Sequence, residues 1–307
     1  WHLSSIMKKV LLVNSNTESA PYPVSPLGIC MIATELKNAG YEVKLFDGLW
    51  DIHTMNKPTN GSSLAILLNN FQPDVIGVSI RNIDDMVMEN SKHYLDEIEQ
   101  YCITPIKNYS GAITILGGAG FSMFPKELLM RWEFNYGIIG PGEHTMKSLL
   151  ESIEEGQSLD HIPGLLIRKS DNRIEGARAF LPNGIKDALT IPYPQIDTHL
   201  NYEPYQSQSS YPIQAKRGCT LKCLYCSYPN IEGRVYQLRT AKDVVDEMED
   251  VQKRLPDVIF EFVDSTFNHP PKHAENICRE IIKRGLKLKL RTMGVTPAGV
   301  SLNLISL

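Results

Sequence analysis

The sequence predicts an α/β protein, and three observations carry that prediction. Short apolar runs rich in β-branched residues alternate with amphipathic segments five times between residues 8 and 156. A second alternation begins near residue 211 and continues to residue 307. No apolar run reaches the roughly 18 residues that would indicate a membrane-spanning helix. Regular alternation of strand and helix is typical of a parallel sheet covered on both faces.

Five strands, each followed by a helix, are predicted in the first half. The strands are placed at residues 8–14, 42–47, 74–80, 112–118 and 136–140. The helices are placed at residues 27–40, 62–71, 89–107, 125–132 and 143–156. This order predicts an open parallel sheet, which would bind a ligand at the carboxyl ends of its strands.

The loops at those strand ends are rich in small residues. They contain SPLG (25–28), SIRN (79–82), GGAG (117–120) and GPGE (140–143). Glycine lets a backbone approach a ligand closely, although tight turns between strand and helix also favour it. A nicotinamide site is disfavoured, because its G-x-G-x-x-G fingerprint should follow the first strand, where no glycine occurs before Gly28.

The second half begins with a hairpin predicted at residues 162–176 and an aperiodic segment at 182–212. Strands are then predicted at 211–218, 257–264 and 286–293, and helices at 240–255, 270–285 and from 300 onward. Three such units cannot close a barrel that usually has eight. We therefore expect an incomplete (β/α) barrel and a chain that is the front part of a longer protein. The predicted divisions are an α/β domain at 7–157, a hairpin and linker at 158–210, and the barrel part at 211–307.

Composition limits the partners and the compartment. The formal net charge of −4 gives no electrostatic reason to expect a nucleic acid. The amino-terminal segment lacks the pattern of a signal peptide. Three of the six cysteines are clustered and three are scattered, which does not resemble a secreted disulfide framework. We expect a cytoplasmic protein with reduced thiols and no membrane partner.

The clustered cysteines indicate a metal centre. Cys219, Cys223 and Cys226 have the spacing C-x3-C-x2-C. A structural zinc site would need a fourth ligand, and no Cys or His follows nearby. Three thiolates on a four-iron cluster would leave one iron open, which suits a catalytic cluster. Lys216 and Arg217 would favour the thiolate forms. The alternative is three unrelated thiols in one loop.

The stretch RGCTLKCLYC resembles the cluster motif of the radical S-adenosylmethionine enzymes, C-x3-C-x-aromatic-C, with Tyr225 in the aromatic position. The first half resembles the cobalamin-binding domain that precedes the radical barrel in one large subgroup. That likeness is carried by PLGICMIATELKNAGYEV, DVIGVSIRNIDD, ILGGAGFSMFP and GIIGPGE, and later by IPGLLIRK and FEFVDSTFNHPP. The resemblance implies a flavodoxin-like or Rossmann-like cobalamin-binding sheet followed by an incomplete radical S-adenosylmethionine barrel.

The resemblance also implies site residues. Cys219, Cys223 and Cys226 would each bind one iron of a [4Fe–4S] cluster, and the amino and carboxylate groups of S-adenosylmethionine would chelate the fourth iron. The candidates for contact with S-adenosylmethionine are Tyr225, Asp264, Ser265 and Arg291. The candidates for contact with cobalamin are Leu27, Gly28, Ser79, Arg81, Gly117, Gly118, Gly140, Gly142 and Glu143.

One departure from the wider group of cobalamin domains concerns the lower axial ligand of cobalt. Many such domains supply a histidine from Asp-x-His-x-x-Gly after the first strand, but this loop contains no histidine. Asp51 and His53 match half of the pattern after the second strand, where position 56 is asparagine. We therefore expect no histidine ligand to cobalt and a surface position for His53.

The activity implied by the resemblance is radical methylation. The reduced cluster would cleave S-adenosylmethionine to a 5′-deoxyadenosyl radical, and methylcobalamin would deliver a methyl group to an unactivated carbon. Ring contraction or oxidation are alternatives on the same architecture. We also consider a cobalamin-binding or sensing module and a fragment without catalysis. Expected partners are a small-molecule or natural-product substrate and an electron donor such as flavodoxin or ferredoxin.

Overall fold

The computed structural model describes residues 8–54, 63–85, 87–176 and 190–307, and the chain forms two compact units. The first unit comprises Trp1–Phe180 and Pro194–Asn201. The second comprises Leu181–Tyr193 and Tyr202–Leu307. The domain boundaries expected at 157/158 and 210/211 stay predictions.

The first unit is built on a seven-stranded sheet with the strand order β2-β1-β3-β4-β5-β6-β7. Its strands are β1 (Lys9–Asn14), β2 (Glu42–Asp47), β3 (Val75–Ser79), β4 (Ile113–Gly117), β5 (Tyr136–Ile138), β6 (Leu165–Arg168) and β7 (Ile174–Gly176). Strands β1 to β5 are parallel, which confirms the predicted fold. The predicted hairpin is also confirmed as β6 and β7, and it extends the sheet by pairing antiparallel with β5.

Helices connect these strands. They are α1 (Leu27–Asn38), α2 (Gly48–Thr54), α3 (Ser63–Phe71), α4 (Leu95–Ile98), α5 (Thr104–Lys107), α6 (Ala119–Met123), α7 (Pro125–Trp132), α8 (Glu143–Glu154) and α9 (Ile196–His199). A π-helical turn at Glu99–Ile103 joins α4 to α5. Helices α2 and α6 were not predicted, and the helix expected at 89–107 begins only at Leu95.

The core of the first unit lies against the central strands. Residues 10–13 of β1 are all buried, as expected for a parallel strand covered on both faces. Leu64 and Leu68 of α3 and Trp132 of α7 belong to the same buried cluster as the strand residues Leu11 and Val13. Each fully buried side chain of this kind contributes about 1.5–3 kcal/mol to stability.

Helix α9 is attached to α1 through His199. The Oγ1 of Thr34 lies 2.9 Å from Nε2 of His199, and the Nζ of Lys37 lies 2.8 Å from Nδ1. Burial, assisted by the nearby Lys37, lowers the pKa of His199 to about 4. The ring is therefore neutral at pH 7, accepting from Lys37 at Nδ1 and donating from Nε2 to Thr34.

The second unit contains a smaller parallel sheet. Its elements are α10 (Glu203–Gln206), β8 (Tyr211–Ile213), β9 (Lys216–Arg217), α11 (Tyr228–Ile231), β10 (Gln237–Leu238), α12 (Ala241–Arg254), β11 (Ile259–Phe262), α13 (Pro271–Lys283), β12 (Lys289–Thr292) and α14 (Leu302–Ile305). The parallel strands have the order β12-β11-β8, and β9 and β10 form a separate antiparallel pair. The strand predicted at 211–218 is therefore divided between β8 and β9.

The start of α12 follows the sequence prediction. The Oγ1 of Thr240 accepts a hydrogen bond from the backbone N–H of Asp243 at 3.1 Å, as an N-cap residue does.

Within the described parts of the chain, none of the helices combines the length and apolar character that spanning a membrane requires.

Candidate functional site

The carboxyl ends of the parallel strands in the first unit meet at one edge of the sheet. Asn14 is in register with Asp47 on one side and with Ser79 on the other. Ser79 is in register with Gly117. The segments that follow β1, β2, β3 and β4 therefore begin at the same level, as expected for a ligand-binding edge.

A buried polar group at this edge was not predicted. The Nδ2 of Asn14 donates to Oδ1 of Asp47 at 2.8 Å, and the same oxygen accepts the backbone N–H of Leu49. Asp51 in turn accepts the backbone N–H of Asp47, and burial raises the pKa of the Asp51 carboxyl. These contacts join the end of β1 to the end of β2 and the start of α2. The polar run NSN directly after a buried strand was the available sequence signal.

The predicted cobalamin residues Ser79, Gly117 and Gly118 lie at this edge, at the ends of β3 and β4. Gly118 has φ +98°, and a Cβ at this position would lie 2.4 Å from the carbonyl oxygen of Ile80. Glycine is therefore required there by backbone packing alone. At Gly117 the nearest atom to an added Cβ would be 3.7 Å away, which is an ordinary contact. Cobalamin binding by these residues stays a prediction.

Ser122 connects two of the glycine-rich loops, which sequence reasoning did not anticipate. Its hydroxyl donates to the carbonyl oxygen of Gly118 at 2.8 Å and accepts the backbone N–H of Gly140 at 3.0 Å. Gly142 precedes α8, whose first residue, Glu143, is buried. The loops after β4 and β5 are thus held together by one side chain.

The amino-terminal end of α1 offers space at the same edge. Leu27 is partly buried and Gly28 is exposed, and a Cβ added to Gly28 would meet no atom within 4 Å. Nearby, the hydroxyl of Ser25 is buried without a hydrogen-bond partner among the described residues. Arg81 follows β3 and is partly buried. Open space, an unsatisfied hydroxyl and small residues suit a large cofactor such as cobalamin.

The surface position predicted for His53 cannot be compared with the structure, because the side chain of His53 lies outside the described residues.

The cysteine loop of the second unit follows β9. Cys219 is buried, Cys226 is partly buried and Cys223 is exposed. The backbone N–H of Cys219 donates to the carbonyl oxygen of Gly233 at 3.1 Å, and that of Cys226 donates to the carbonyl oxygen of Cys223 at 3.2 Å. The start of the loop is therefore anchored in the protein, and its tip carries the accessible thiols.

The start of the loop also requires glycine. Gly218 has φ +80°, and an added Cβ would lie 2.0 Å from the carbonyl oxygen of Val235. Its backbone N–H donates to Glu232 at 3.1 Å, and its carbonyl oxygen accepts the hydroxyl of Ser265 at 3.3 Å. The predicted residue Ser265 therefore connects the end of β11 to the cysteine loop.

The donor set suits a cluster better than a single ion. No three His, Cys, Asp or Glu side chains in the described residues are arranged to hold one metal ion. Three thiolates on a [4Fe–4S] cluster bind three different iron atoms, so their sulfur atoms need not converge on one point. Three free cysteines within eight residues thus fit a cluster with one open iron.

Lys216 and Asp264 form a buried ion pair beside this loop. The Nζ of Lys216 lies 3.3 Å from Oδ2 of Asp264 and donates to the carbonyl oxygen of Phe267 at 3.0 Å. The Oδ1 of Asp264 accepts the backbone N–H groups of Ala215 and Lys216 at 2.8 and 3.1 Å. Burial lowers the pKa of Lys216 and raises that of Asp264. Both carboxylate oxygens of this predicted S-adenosylmethionine contact are therefore engaged with protein groups, and its contact with the ligand stays a prediction.

The other predicted S-adenosylmethionine residues have different environments. Tyr225 is 91% exposed at the loop tip. Arg291 on β12 is in register with Glu261 on β11, and its Nε lies 3.0 Å from the Glu261 carboxylate. Glu261 also accepts the hydroxyl of Ser210 at 2.7 Å. The structure therefore places Tyr225 where a ligand could reach it and Arg291 in a cross-strand ion pair.

Tyr236 lies beside Cys219 and His269 lies beside Tyr236, and neither contact was predicted from the sequence. The hydroxyl of Tyr236 is 3.8 Å from Sγ of Cys219 and 3.0 Å from Nδ1 of His269. Burial raises the pKa of Tyr236 to about 12, so its hydroxyl carries a proton at neutral pH. The separations of 17 and 33 residues along the chain leave no local pattern that could have revealed this contact.

Comparison with known proteins agrees with this arrangement. A family model described as the B12 binding domain matches residues 14–150. A solved structure of a radical S-adenosylmethionine methyltransferase, TsrM, from Kitasatospora setae with cobalamin and a [4Fe–4S] cluster bound has a TM-score of 0.74. It is 26% identical, and the match covers 90% of this chain and 51% of that one. The chain has a B12-binding domain and is related to the cobalamin-dependent radical S-adenosylmethionine enzymes.

Two curated relatives are methyltransferases by name. The tryptophan 2-C-methyltransferase of Streptomyces laurentii is 26% identical, with 90% of this chain and 52% of that protein covered. The cytidylyl-2-hydroxyethylphosphonate methyltransferase of Streptomyces wedmorensis is also 26% identical, with 96% of this chain and 60% of that protein covered. The chain therefore spans between about half and three-fifths of the length of these relatives.

Proposed function

We propose that this chain belongs to a cobalamin-dependent radical S-adenosylmethionine methyltransferase that methylates an unactivated carbon of a small molecule. The proposal rests on one observation: three free cysteines with the spacing C-x3-C-x2-C follow the short strand β9, shortly after β8 of the parallel sheet, in the same chain as a segment that matches the B12-binding domain. When bound, the cluster and cobalamin supply the radical and methyl-transfer chemistry, and the protein contributes position and shielding from water.

The residues of the second unit would hold the cluster and S-adenosylmethionine. Cys219, Cys223 and Cys226 are the proposed iron ligands. Tyr225 at the exposed tip is a proposed contact of S-adenosylmethionine, with Asp264, Ser265 and Arg291 as further candidates. The anchored position of Cys219 and the exposure of Cys223 support a loop whose tip closes around an incoming cluster.

The residues at the sheet edge of the first unit would hold cobalamin. The proposed contacts are Leu27, Gly28, Ser79, Arg81, Gly117, Gly118, Gly140, Gly142 and Glu143. The space around Gly28 and the unsatisfied hydroxyl of Ser25 support this assignment. We propose no histidine ligand to cobalt from the loop that follows β1.

The partners and compartment follow from this chemistry. A small-molecule or natural-product substrate fits the names of the relatives. Reduction of the cluster requires an electron donor, for which a flavodoxin or ferredoxin is proposed. The six free cysteines support a cytoplasmic location, where thiols stay reduced. We propose no nucleic-acid or membrane partner.

The iron ligands can be tested by electron paramagnetic resonance. Protein reconstituted anaerobically with iron and sulfide and then reduced is expected to give a [4Fe–4S]⁺ signal that changes when S-adenosylmethionine is added. Cys219→Ala, Cys223→Ala and Cys226→Ala are each expected to lose this cluster. Cys278→Ala is the matched control, since Cys278 is a partly buried free thiol on α13 outside the loop.

Two outcomes would contradict the proposal. One is a wild-type protein that binds no cluster, or whose electron paramagnetic resonance signal does not change when S-adenosylmethionine is added. Cobalamin uptake without a cluster would favour the binding or sensing module instead. The other is retention of the cluster in Cys226→Ala. Formation of 5′-deoxyadenosine together with S-adenosylhomocysteine would indicate methyl transfer, whereas 5′-deoxyadenosine alone would indicate other radical chemistry.

The cobalamin edge can be tested by filling the space at Gly28. Gly28→Leu is expected to fold, because an added Cβ meets no atom within 4 Å and leucine is the better helix former by up to about 1 kcal/mol. Cobalamin affinity, measured by absorbance titration, is expected to fall at least about tenfold, or about 1.4 kcal/mol. Asn38→Leu places the same side chain at the exposed opposite end of α1 as a control. Equal affinities in the two variants would remove Gly28 from the site.

A further inference from the structure

The Tyr236 hydroxyl has two neighbours that could accept its proton. Tyr236 is buried, and its hydroxyl contacts the Sγ of Cys219 at 3.8 Å and the Nδ1 of His269 at 3.0 Å. A phenol has a single proton to donate and two lone pairs to accept with.

Binding of iron by Cys219 fixes how these contacts are used. An iron-bound cysteine is a thiolate, which has no proton and acts only as an acceptor. The contact between Tyr236 and Cys219 can then be a hydrogen bond only if the tyrosine donates. The 3.0 Å contact with His269 is then a hydrogen bond only if the imidazole carries its proton on Nδ1 and donates to the hydroxyl oxygen. Without iron, the Cys219 thiol could donate to the tyrosine instead.

A hydrogen bond to a ligating sulfur changes the energetics of reduction. Reduction adds one electron to the cluster and its thiolates without a proton, so negative charge on the sulfur atoms increases. A donor aimed at that sulfur stabilises the reduced state and raises the reduction potential. The effect is strongest where water is excluded, and Cys219 is the buried member of the three cysteines.

We propose that Tyr236, oriented by His269, is a positioning residue that donates a hydrogen bond to the Cys219 thiolate and raises the reduction potential of the cluster. This inference rests on the proposed function, since it requires the cluster to be bound. It gives Cys219, the buried member of the three cysteines, a hydroxyl group beside its sulfur. The iron bound by Cys219 would therefore differ electronically from the other two.

The test is the reduction potential of the cluster in the reconstituted protein. The protein is titrated with dithionite in the absence of S-adenosylmethionine, and electron paramagnetic resonance monitors the reduced cluster. Tyr236→Phe retains the ring and removes the hydroxyl, so its potential is expected to be more negative than that of wild type. Tyr193→Phe is the matched control, because that hydroxyl donates to Asp243 rather than to the cysteine loop. The Tyr193→Phe potential is expected to equal that of wild type.

A second variant covers the case in which Tyr236→Phe loses the cluster. Incorporation of 3-fluorotyrosine at position 236 retains the hydroxyl and strengthens it as a donor, so the potential is expected to move in the positive direction. A potential equal to that of wild type in either variant overturns the inference. If the wild-type protein binds a cluster that responds to S-adenosylmethionine but the variants have unchanged potentials, this inference is wrong and the proposed function still stands. Absence of the cluster from wild type overturns the proposed function as well.

Discussion

Asp264→Ala is expected to destabilise the second unit by about 3–5 kcal/mol, the range typical of a buried ion pair that loses one partner. The side chains of Lys216 and Asp264 are 1% and 0% exposed, so the ammonium group would stay buried without a counter-charge. The substitution would also remove the acceptor of two backbone N–H groups, those of Ala215 and Lys216. Hydrogen exchange of the β8 and β11 amides would measure the loss.

Two further variants make this expectation specific. Asp257→Ala removes an exposed carboxylate just before β11, and little change is expected. The double variant Lys216→Met/Asp264→Leu removes both charges, and it is expected to recover the part of the loss that comes from the unpaired charge but not the part that comes from the two backbone N–H groups. A loss of less than about 0.5 kcal/mol in Asp264→Ala, the usual range for surface substitutions, would show that the pair does not stabilise the fold.

Arg239→Ala is the second change expected to have a large effect, with a loss of about 3 kcal/mol or more. The guanidinium is fully buried and lies 2.6 Å from both Glu247 and Asp243. It also donates to the carbonyl oxygen of Gln214 at 2.8 Å, which ties α12 to the segment after β8. Removing it would leave the Glu247 carboxylate buried without a cation. Hydrogen exchange of the α12 amides at pH 5 and pH 8 would measure the loss of stability.

The pH dependence of this loss has a definite sign. Burial already raises the pKa of Glu247 to about 7 in the folded protein, and removing Arg239 would raise it further. A folded-state pKa above the unfolded value means that folding favours the protonated acid, so the loss is expected to be smaller at pH 5 than at pH 8. Arg254→Ala is the control, since its pair with Asp250 on the same helix is partly exposed and worth about 0.5 kcal/mol. Equal effects of the two substitutions would contradict the prediction.

The regular elements were predictable because their signals are local. Apolar runs located β1 to β5 within two residues at either end, and Thr240 located the start of α12. Helix α2 was missed because it begins with Gly48 directly after a strand, where glycine usually indicates a turn. Helix α6 was missed because it consists of AGFSM, which follows two glycines and has no periodic apolar pattern.

In the candidate site, only the cysteine cluster has a local sequence signal, and its binding of iron stays a prediction. The spacing of the cysteines is a property of eight consecutive residues, whereas the contacts around them join distant parts of the chain. Asp264 reaches Lys216 across 48 residues, and His269 reaches Tyr236 across 33. Both contacts depend on how β11 is placed beside β8, which sequence periodicity does not specify. The same limit applied to Glu261, whose partners Arg291 and Ser210 became evident only in the folded sheet.

The antiparallel hairpin of β6 and β7 has a consequence for self-association. Strand β5 belongs to the parallel sheet, and without the hairpin its backbone N–H and C=O groups would form an open edge available to another chain. The edge that the hairpin presents instead is only three residues long and carries Glu175, which pairs with Lys169 and Arg173. Short, charged edge strands resist strand-to-strand aggregation. The hairpin thus makes this edge of the sheet less able to pair with a second copy of the chain.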